Sequence, residues 1–548
     1  MGLVSQNPVS YRETLVVDLV ISGGRVVDGS GAPPRVADVA VEGDRIVGVG
    51  EGFRGRRQID ARGKVVTPGF IDIHTHTDFT LPVEPSATAK LLQGVTTDVT
   101  GNCGFSPFPL ADGGASSRHG AFVEPALTTR WASLKQYAEA LADLRPGINV
   151  APLVGHGAVR LAVLGEEDRA PTPSETAAMR ALVERSMEDG AFGVSSGLVY
   201  APSSYADTSE LIALAEVAGS HGGFYATHLR DEGDGLLEAV NEALAIGRSA
   251  RCPVQLSHHK VLGRRNWGLV GESLRRVDEA NAGGEDVTLD VYPYTAGSTT
   301  LITLLPPEEL SVGEPELRRR LADPAFRARV AERVRTTAQF QLDEVQLAAV
   351  PSRPDASGRR VVDVAEQDGI DPAELVIQLI ETDGSSVVML GFGMDEADVR
   401  RVICHPRSMI GSDGWVLSTA GPGHAHPRNF GCAPRVLANY VRDERIVDIE
   451  TAVAKLAGLP AARLGLTDRG TLAEGMVADV VVLDLERLEE GSTYASPDAY
   501  PVGVEHVVLN GALAVTEGEP TGGRAGRVLR PSRNAGGTTR PRTIEGGR

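Results

Sequence analysis

Between residues 18 and 70, apolar and polar positions nearly alternate in short runs (LVISGGRVV, VADVAVEGDRIVGVG, QIDARGKVVTPGF) separated by Gly and Pro turns. That period of two predicts half-buried β-strands. The same texture returns over 470–530 in GTLAEGMVADVVVLDLE and VEHVVLNGALAVTEG, so two half-sheets from the chain ends are expected to form one small β-sandwich domain. From about 65 to 415 the period changes. Short apolar runs (VVTPGFIDI, VTTDVTG, NVAPLVG, FGVSSG, GFYATHL, PVQLSHH, VTLDVYPY, SMIGSD) alternate with helical stretches, the order of a parallel α/β fold. Eight such runs are the number that closes a (β/α)8 TIM-type barrel. SETAAMRALVERSMEDG has helical spacing and stops at Gly190, and SELIALAEVAGSHG opens on a Ser cap, here Ser209.

The expected organisation is therefore 1–66 for the first half of the β-domain, 67–462 for the barrel, 463–530 for the second half, and a disordered Gly/Thr/Pro/Arg-rich tail over 531–548. More than a hundred residues separate Tyr294 from Met409, with helical stretches near 314–338 and 371–382. One crossover cannot hold that length, so an inserted subdomain over about 302–390, serving as a lid, is expected.

Apolar residues at 42% and charged residues at 23% describe a globular chain with a large core. A net charge of −19 repels nucleic acid and anionic membranes, which leaves small molecules as the expected partners. Four scattered cysteines, Cys103, Cys252, Cys404 and Cys432, suit a reducing compartment. The N-terminus lacks the basic and apolar regions of a signal peptide, and no apolar run reaches the roughly 18 residues of a membrane span. The expected location is the cytoplasm.

In FIDIHTHTDF, His74 and His76 stand two apart at the end of a strand, so both imidazoles share a face. His-x-His also occurs on ordinary strand surfaces. The remaining candidates, Cys103, His228, His258 and Asp413, all fall at the C-terminal ends of predicted strands, the face on which barrel enzymes build their sites. Imidazole, thiolate and carboxylate together suit zinc. His156 ends the third strand and can touch the site or support it; His259 should point away. His119, His221, His405 and His506 read as surface or loop residues, His424 and His426 stay undecided, and Asp98 and Asp290 can simply satisfy neighbours.

The chain resembles the amidohydrolase superfamily through PGFIDIHTH, His228, His258 and the SDG at Asp413, and within it the D-aminoacylase (N-acyl-D-amino-acid deacylase) branch. GVTTDVTGNCGFSPFPL, SSGLVYAP, THLRDEGD, QLSHHKVLG, DVYPYTAGST, HPRNFG and RGTLAEGMVADVVVLD carry the closer likeness. The resemblance implies a barrel joined to a small β-domain made from both chain ends, and a monomer. Many superfamily members bridge two metals with a lysine on strand four. Here that strand, GAFGVSSGLVY, has none, the whole chain has five, and Cys103 in GNCG matches the branch's bridging cysteine.

By the same likeness Cys103, His228 and His258 would hold one tight Zn2+, with His74, His76 and Asp413 lining a second, weaker position. Asp413 would shuttle a proton from zinc-activated water, whose pKa falls to about 7, to the leaving amine. Lys260, Tyr292, Ser298 and Arg428 would surround the substrate carboxylate, and Tyr200 would face the developing oxyanion. Each of these five can also be a polar group supporting the barrel rim. The implied reaction is hydrolysis of N-acyl-D-amino acids. The alternatives are a cyclic-amide hydrolase of the hydantoinase or dihydroorotase type, a deacylase of a larger D-residue-containing product, or a non-catalytic relative.

Overall fold

The structure, a computed structural model, describes residues 16–110, 131–310, 312–337, 340–421 and 423–532. His119 and all but the first two residues of the expected tail lie outside this set. The strands in chain order are β1 (Val16–Val26), β2 (Arg35–Glu42), β3 (Arg45–Gly50), β4 (Arg54–Asp60), β5 (Val65–Pro68), β6 (Phe70–Asp72), β7 (Val95–Thr100), β8 (Asn149–Pro152), β9 (Val154–Gly155), β10 (Gly193–Gly197), β11 (Phe224–His228), β12 (Val254–Leu256), β13 (Val287–Val291), β14 (Gly297–Thr300), β15 (Val345–Ala349), β16 (Val388–Gly391), β17 (Ser408–Ile410), β18 (Val480–Leu483), β19 (Val504–Leu509), β20 (Ala512–Thr516) and β21 (Glu519–Pro520).

Among the described residues, the two chain ends meet in one sheet ordered β21-β20-β19-β18-β5-β1-β2-β3, with β4 also on β1. The join is antiparallel, β5 to β18, with Val65 opposite Leu483 and Val66 opposite Val482. Alternation explains the register. Leu19, Ile21, Val39, Val41, Val66, Val480 and Val482 share one buried cluster, while Val17, Val20 and Ala40 pack on the other face. A slip of one residue would exchange the two sets.

The other large elements are parallel. β6, β7 and β8 form one run, and β9-β10-β11-β12-β13-β17 forms another. Only Leu153 separates β8 from β9, and beyond β6 Thr75 makes a parallel bridge to Gly414, just past β17. β7, β10, β11 and β13 are buried along their whole length, as strands covered on both faces must be. Helices lie between them. Helix Pro173–Asp189 begins with a capping box, in which Thr172 Oγ1 accepts from Glu175 N and the Glu175 carboxylate accepts from Thr172 N, and it ends at Gly190 with φ 114°. In the next helix, Thr208–Ser220, the cap is Asp207 and not Ser209, because Asp207 extends before the helix and accepts from Glu210 N at 2.9 Å.

Between β13 and β17 the chain forms an antiparallel sheet, β14-β16-β15, with helices Glu314–Leu321, Pro324–Thr337, Val361–Asp368 and Pro372–Asp383. Among the described residues no helix is long and apolar enough to cross a membrane.

Candidate metal centre

His74 and His76 lie just past β6, Cys103 past β7, His228 ends β11, His258 follows β12 and Asp413 follows β17, so the strand ends bring all six together. Their donor atoms fall into two groups, His74–His76–Cys103–Asp413 and Cys103–His228–His258, within each of which the atoms lie no more than 4.8 Å apart. Cys103 belongs to both. Its Sγ is 3.3 Å from His74 Nε2 and 3.4 Å from His258 Nε2. Asp413 Oδ1 is 3.0 Å from His76 Nε2, and its Oδ2 is 2.8 Å from Arg428 Nη1. Cys103, His258 and Asp413 all have positive φ, at 53°, 34° and 52°. Such a backbone costs about 1–3 kcal/mol at each non-glycine residue and persists where the surroundings impose it, typically at functional sites.

The electrostatics match a cation site. Burial alone would raise the Cys103 thiol, but the imidazoles of His74 and His258 and hydrogen bonds from His228 and His258 hold it well below the usual thiol range. Burial would likewise raise Asp413, yet the charges of Arg428 and His258 and the bond from His76 hold its carboxyl well below the usual range. Burial keeps His228 below the ordinary imidazole value. A thiolate, a carboxylate and imidazoles in a dry pocket are the donor set of zinc.

Behind the donors stand residues that orient them. Asp290 Oδ1 lies 3.1 Å from His74 Nδ1, beside that ring, and accepts from the His258 backbone N at 2.8 Å, which holds the His258 main chain. Asp290 thus does more than satisfy a neighbour. Glu232, unassigned in the sequence although it lies in THLRDEGD four residues after His228, is buried with its carboxylate 3.1 Å from His258 Nδ1, 3.5 Å from His228 Nε2 and 2.7 Å from Lys260 Nζ. Glu232→Gln removes the carboxylate shared by these three groups. Metal affinity should fall by about 10–100-fold, read by competition with a chromophoric chelator. Unchanged affinity would make Glu232 a bystander.

Lys90, fully buried, donates to Asp72 Oδ2 at 2.7 Å and Ser412 Oγ at 3.0 Å and sits 3.6 Å from Asp98, while Asp72 Oδ1 accepts from Ser412 N at 2.8 Å. This cluster ties the segment carrying His74 to the segment carrying Asp413. Lys90→Met would strand two buried carboxylates, so the denaturation midpoint should drop by the equivalent of about 3–5 kcal/mol. A stability equal to the parent's would contradict that account.

The expected substrate-contacting residues are only partly gathered. Tyr200 packs on Phe105 and His228, with ring centroids 5.1 Å away in each case, and its hydroxyl is 3.2 Å from Thr299 Oγ1. Arg428 lies over the Tyr292 ring at 4.9 Å. Ser298, on β14 opposite Leu390, lines the cavity at the centre together with Tyr200 and Arg428. Lys260 points the other way, beneath His258, donating to the His258 carbonyl at 3.0 Å as well as to Glu232.

Of the other histidines, His156 is bound into a buried cluster, Nε2 to Glu210 at 2.7 Å and Nδ1 to Ser203 Oγ at 3.0 Å. His259 faces Ser273, His424 faces the Tyr494 carbonyl, and His426 is held between the Ala296 carbonyl and Arg428 N. His405, expected as a surface or loop residue, lies in the loop just after helix Glu396–Cys404 and is buried there, with Nε2 3.1 Å from Asp278. His506 is half-buried in β19.

Residues 57–515 match the model of the amidohydrolase family, and the chain belongs to that family. It is 38% identical over 516 residues to an N-acyl-D-glutamate deacylase of Alcaligenes xylosoxydans xylosoxydans, covering 94% of this chain and 96% of that protein. Identity to a D-aminoacylase of the same organism is 38% over 529 residues, covering 95% and 99%. Among solved structures, N-acyl-D-glutamate deacylase from Bordetella bronchiseptica, complexed with zinc and a phosphonate mimic of the tetrahedral intermediate, aligns with a TM-score of 0.82 at 36% identity over 94% of this chain and 100% of that one. A D-hydantoinase, at 17% identity and a TM-score of 0.54, shares the fold alone.

Proposed function

We propose that this chain is a zinc-dependent hydrolase of N-acyl-D-amino acids, releasing a carboxylate and a free D-amino acid. The observation that carries the reading is Cys103, placed in both donor groups at the position where a lysine-bridged relative would depend on strand β10, whose sequence GVSSG holds no lysine. That feature, and the distance of the hydantoinase likeness, argue against the cyclic-amide alternative. All six donors are present, which argues against a non-catalytic relative.

Cys103, His228 and His258 would hold the tight Zn2+, and His74, His76 and Asp413 a second, weaker one. The metal, when bound, supplies Lewis-acid polarisation of the amide carbonyl and acidifies water. The chain's own groups do the rest. Asp413, kept ionised by Arg428, takes a proton from attacking water and delivers it to the leaving nitrogen. Tyr200 donates to the carbonyl oxygen as it gains charge. Arg428, Tyr292 and Ser298 orient the substrate carboxylate, while Lys260, bound to Glu232 and the His258 carbonyl, positions His258 from behind.

The fold that accompanies this reading is a closed (β/α)8 barrel, supported by the Leu153 junction and the Thr75–Gly414 bridge, with a β-sandwich from both chain ends and the insertion over about 302–390 as a lid. Domain limits near 66 and 463, a monomer, a small-molecule substrate and a cytoplasmic location complete the proposal. A panel of N-acetyl-D- and N-acetyl-L-amino acids, with zinc quantified in the same preparation, tests it. Turnover confined to D-substrates with about one zinc supports the assignment. Zinc without such turnover, or ring opening of hydantoins, overturns it.

A further inference from the structure

The space beside the donors is larger than the reaction itself needs. A cavity of about 220 Å³ runs from Cys103, His258 and Asp413 out to Leu317 and Glu166. Its outer walls mix aliphatic side chains with hydroxyls such as Thr299, Thr300 and Thr303, and come from both sides. Leu161 and Val199 stand on the parallel-sheet side, and Ile302, Leu310, Leu317 and Val388 on the segment between β13 and β17.

Charge is distributed unevenly along it. Among the described residues that line it, Arg428 is the one Lys or Arg, and it already pairs with Asp413 at 2.8 Å. Lys260, the nearby alternative, is bound to Glu232. At the far end the lining carries two carboxylates, Glu166 at the surface and Glu314, which accepts from Ser385 Oγ at 2.8 Å and lies 3.6 Å from Arg318. A substrate with one carboxylate finds Arg428. A second carboxylate placed along the cavity finds aliphatic side chains and the neutral hydroxyls of Thr299, Thr300 and Thr303, then acidic groups, and among the described lining residues no second Lys or Arg.

We propose that this cavity receives an extended, uncharged apolar arm of the substrate and turns away acidic arms. The cavity continues past the donors and Arg428 to Ile302, Leu310 and Leu317, so it offers an arm space beyond the reacting amide. The arm is either the acyl chain or the D-side chain, which present the same aliphatic chemistry to the walls. Where the arm is the D-side chain, the consequence is that this chain disfavours N-acyl-D-glutamate and N-acyl-D-aspartate, even though it is 38% and 39% identical to deacylases named for those substrates. Desolvating a second charge against apolar walls is unfavourable, and each buried methylene is favourable.

This inference rests on the deacylase reading, and the test separates the two. Zinc-loaded full-length protein is assayed on N-acetyl- to N-decanoyl-D-alanine, on N-acetyl-D-amino acids with side chains from alanine to 2-aminooctanoate, and on N-acetyl-D-glutamate beside N-acetyl-D-methionine. kcat/KM should rise about fourfold per methylene in one series, which identifies the arm, and where that is the side-chain series D-glutamate should fall at least about tenfold below D-methionine. Flat series, or D-glutamate as the best substrate, overturns the proposal. Ile302→Asp should bring the long-to-short ratio down toward one, and an unchanged ratio counts against the assigned wall. If N-acetyl-D-alanine is not turned over at all, the deacylase reading fails. Calorimetric titration of the metal-free protein still decides the cavity, since either N-octanoyl-D-alanine or N-acetyl-D-2-aminooctanoate should bind at least about tenfold tighter than N-acetyl-D-alanine. Equal affinities for all three would refute it.

Discussion

Cys103→Ala is expected to strip zinc from the protein and abolish turnover together. The sulfur is the one donor shared by both groups, it is 2% exposed, and nearby imidazoles hold it as thiolate. Removing it takes away a ligand and also a negative charge that offsets His74 and His258, whose ring centroids are 4.8 Å apart. The loss of zinc affinity should therefore exceed the ~10–100-fold typical of outer-sphere partners. The check is metal content after dialysis, with far-UV circular dichroism to confirm that the strands remain. A variant that keeps its zinc would show that His228 and His258 hold the ion with a ligand other than Cys103.

Asp413→Asn should behave in the opposite way, with the tight zinc retained and turnover lowered by about 10²–10⁴-fold, the range of a lost general acid–base group. Cys103, His228 and His258 are untouched by the change. Asparagine keeps the volume beside Arg428 but not the charge, so the buried guanidinium loses its counter-ion and some stability should go with it. Thermal unfolding of the zinc-loaded variant separates that cost from the chemistry: a modest shift in Tm beside a large loss in kcat is the expected pair of results. Near-normal kcat would remove Asp413 from the proton path and leave it a structural partner of His76.

The six candidate donors are legible because each sits beside a strand whose period or apolar run marks it. The strand ends then supply the convergence that no single motif contains. Helix Pro173–Asp189 was equally plain, since Thr172, Pro173, Glu175 and Gly190 are all local signals. Ser209 failed as a cap because Asp207, two residues earlier, already satisfies the first turn, and either side chain is chemically able to do so. Glu232 and Lys90 were missed for a different reason. Each is charged and buried only because partners distant in sequence, Lys260 at 28 residues and Ser412 at 322, arrive in space to pair with it. Lys260 belongs to a recognisable motif, but whether its ammonium faces the cavity or Glu232 is decided by side-chain packing that a motif does not encode.

The pairing of Val65 with Leu483 also sets a timetable for the protein's birth. At ribosomal rates of about 5–20 residues per second, β5 waits on the order of 20 s to more than a minute for its neighbour β18 to be made. During that interval Val65 and Val66 have no β18 to cover them, and the nascent chain carries an open edge able to pair with another copy. Slow translation or premature truncation before residue 480 should therefore give aggregates of an otherwise well-patterned α/β chain, and a holdase chaperone present during synthesis should reduce them.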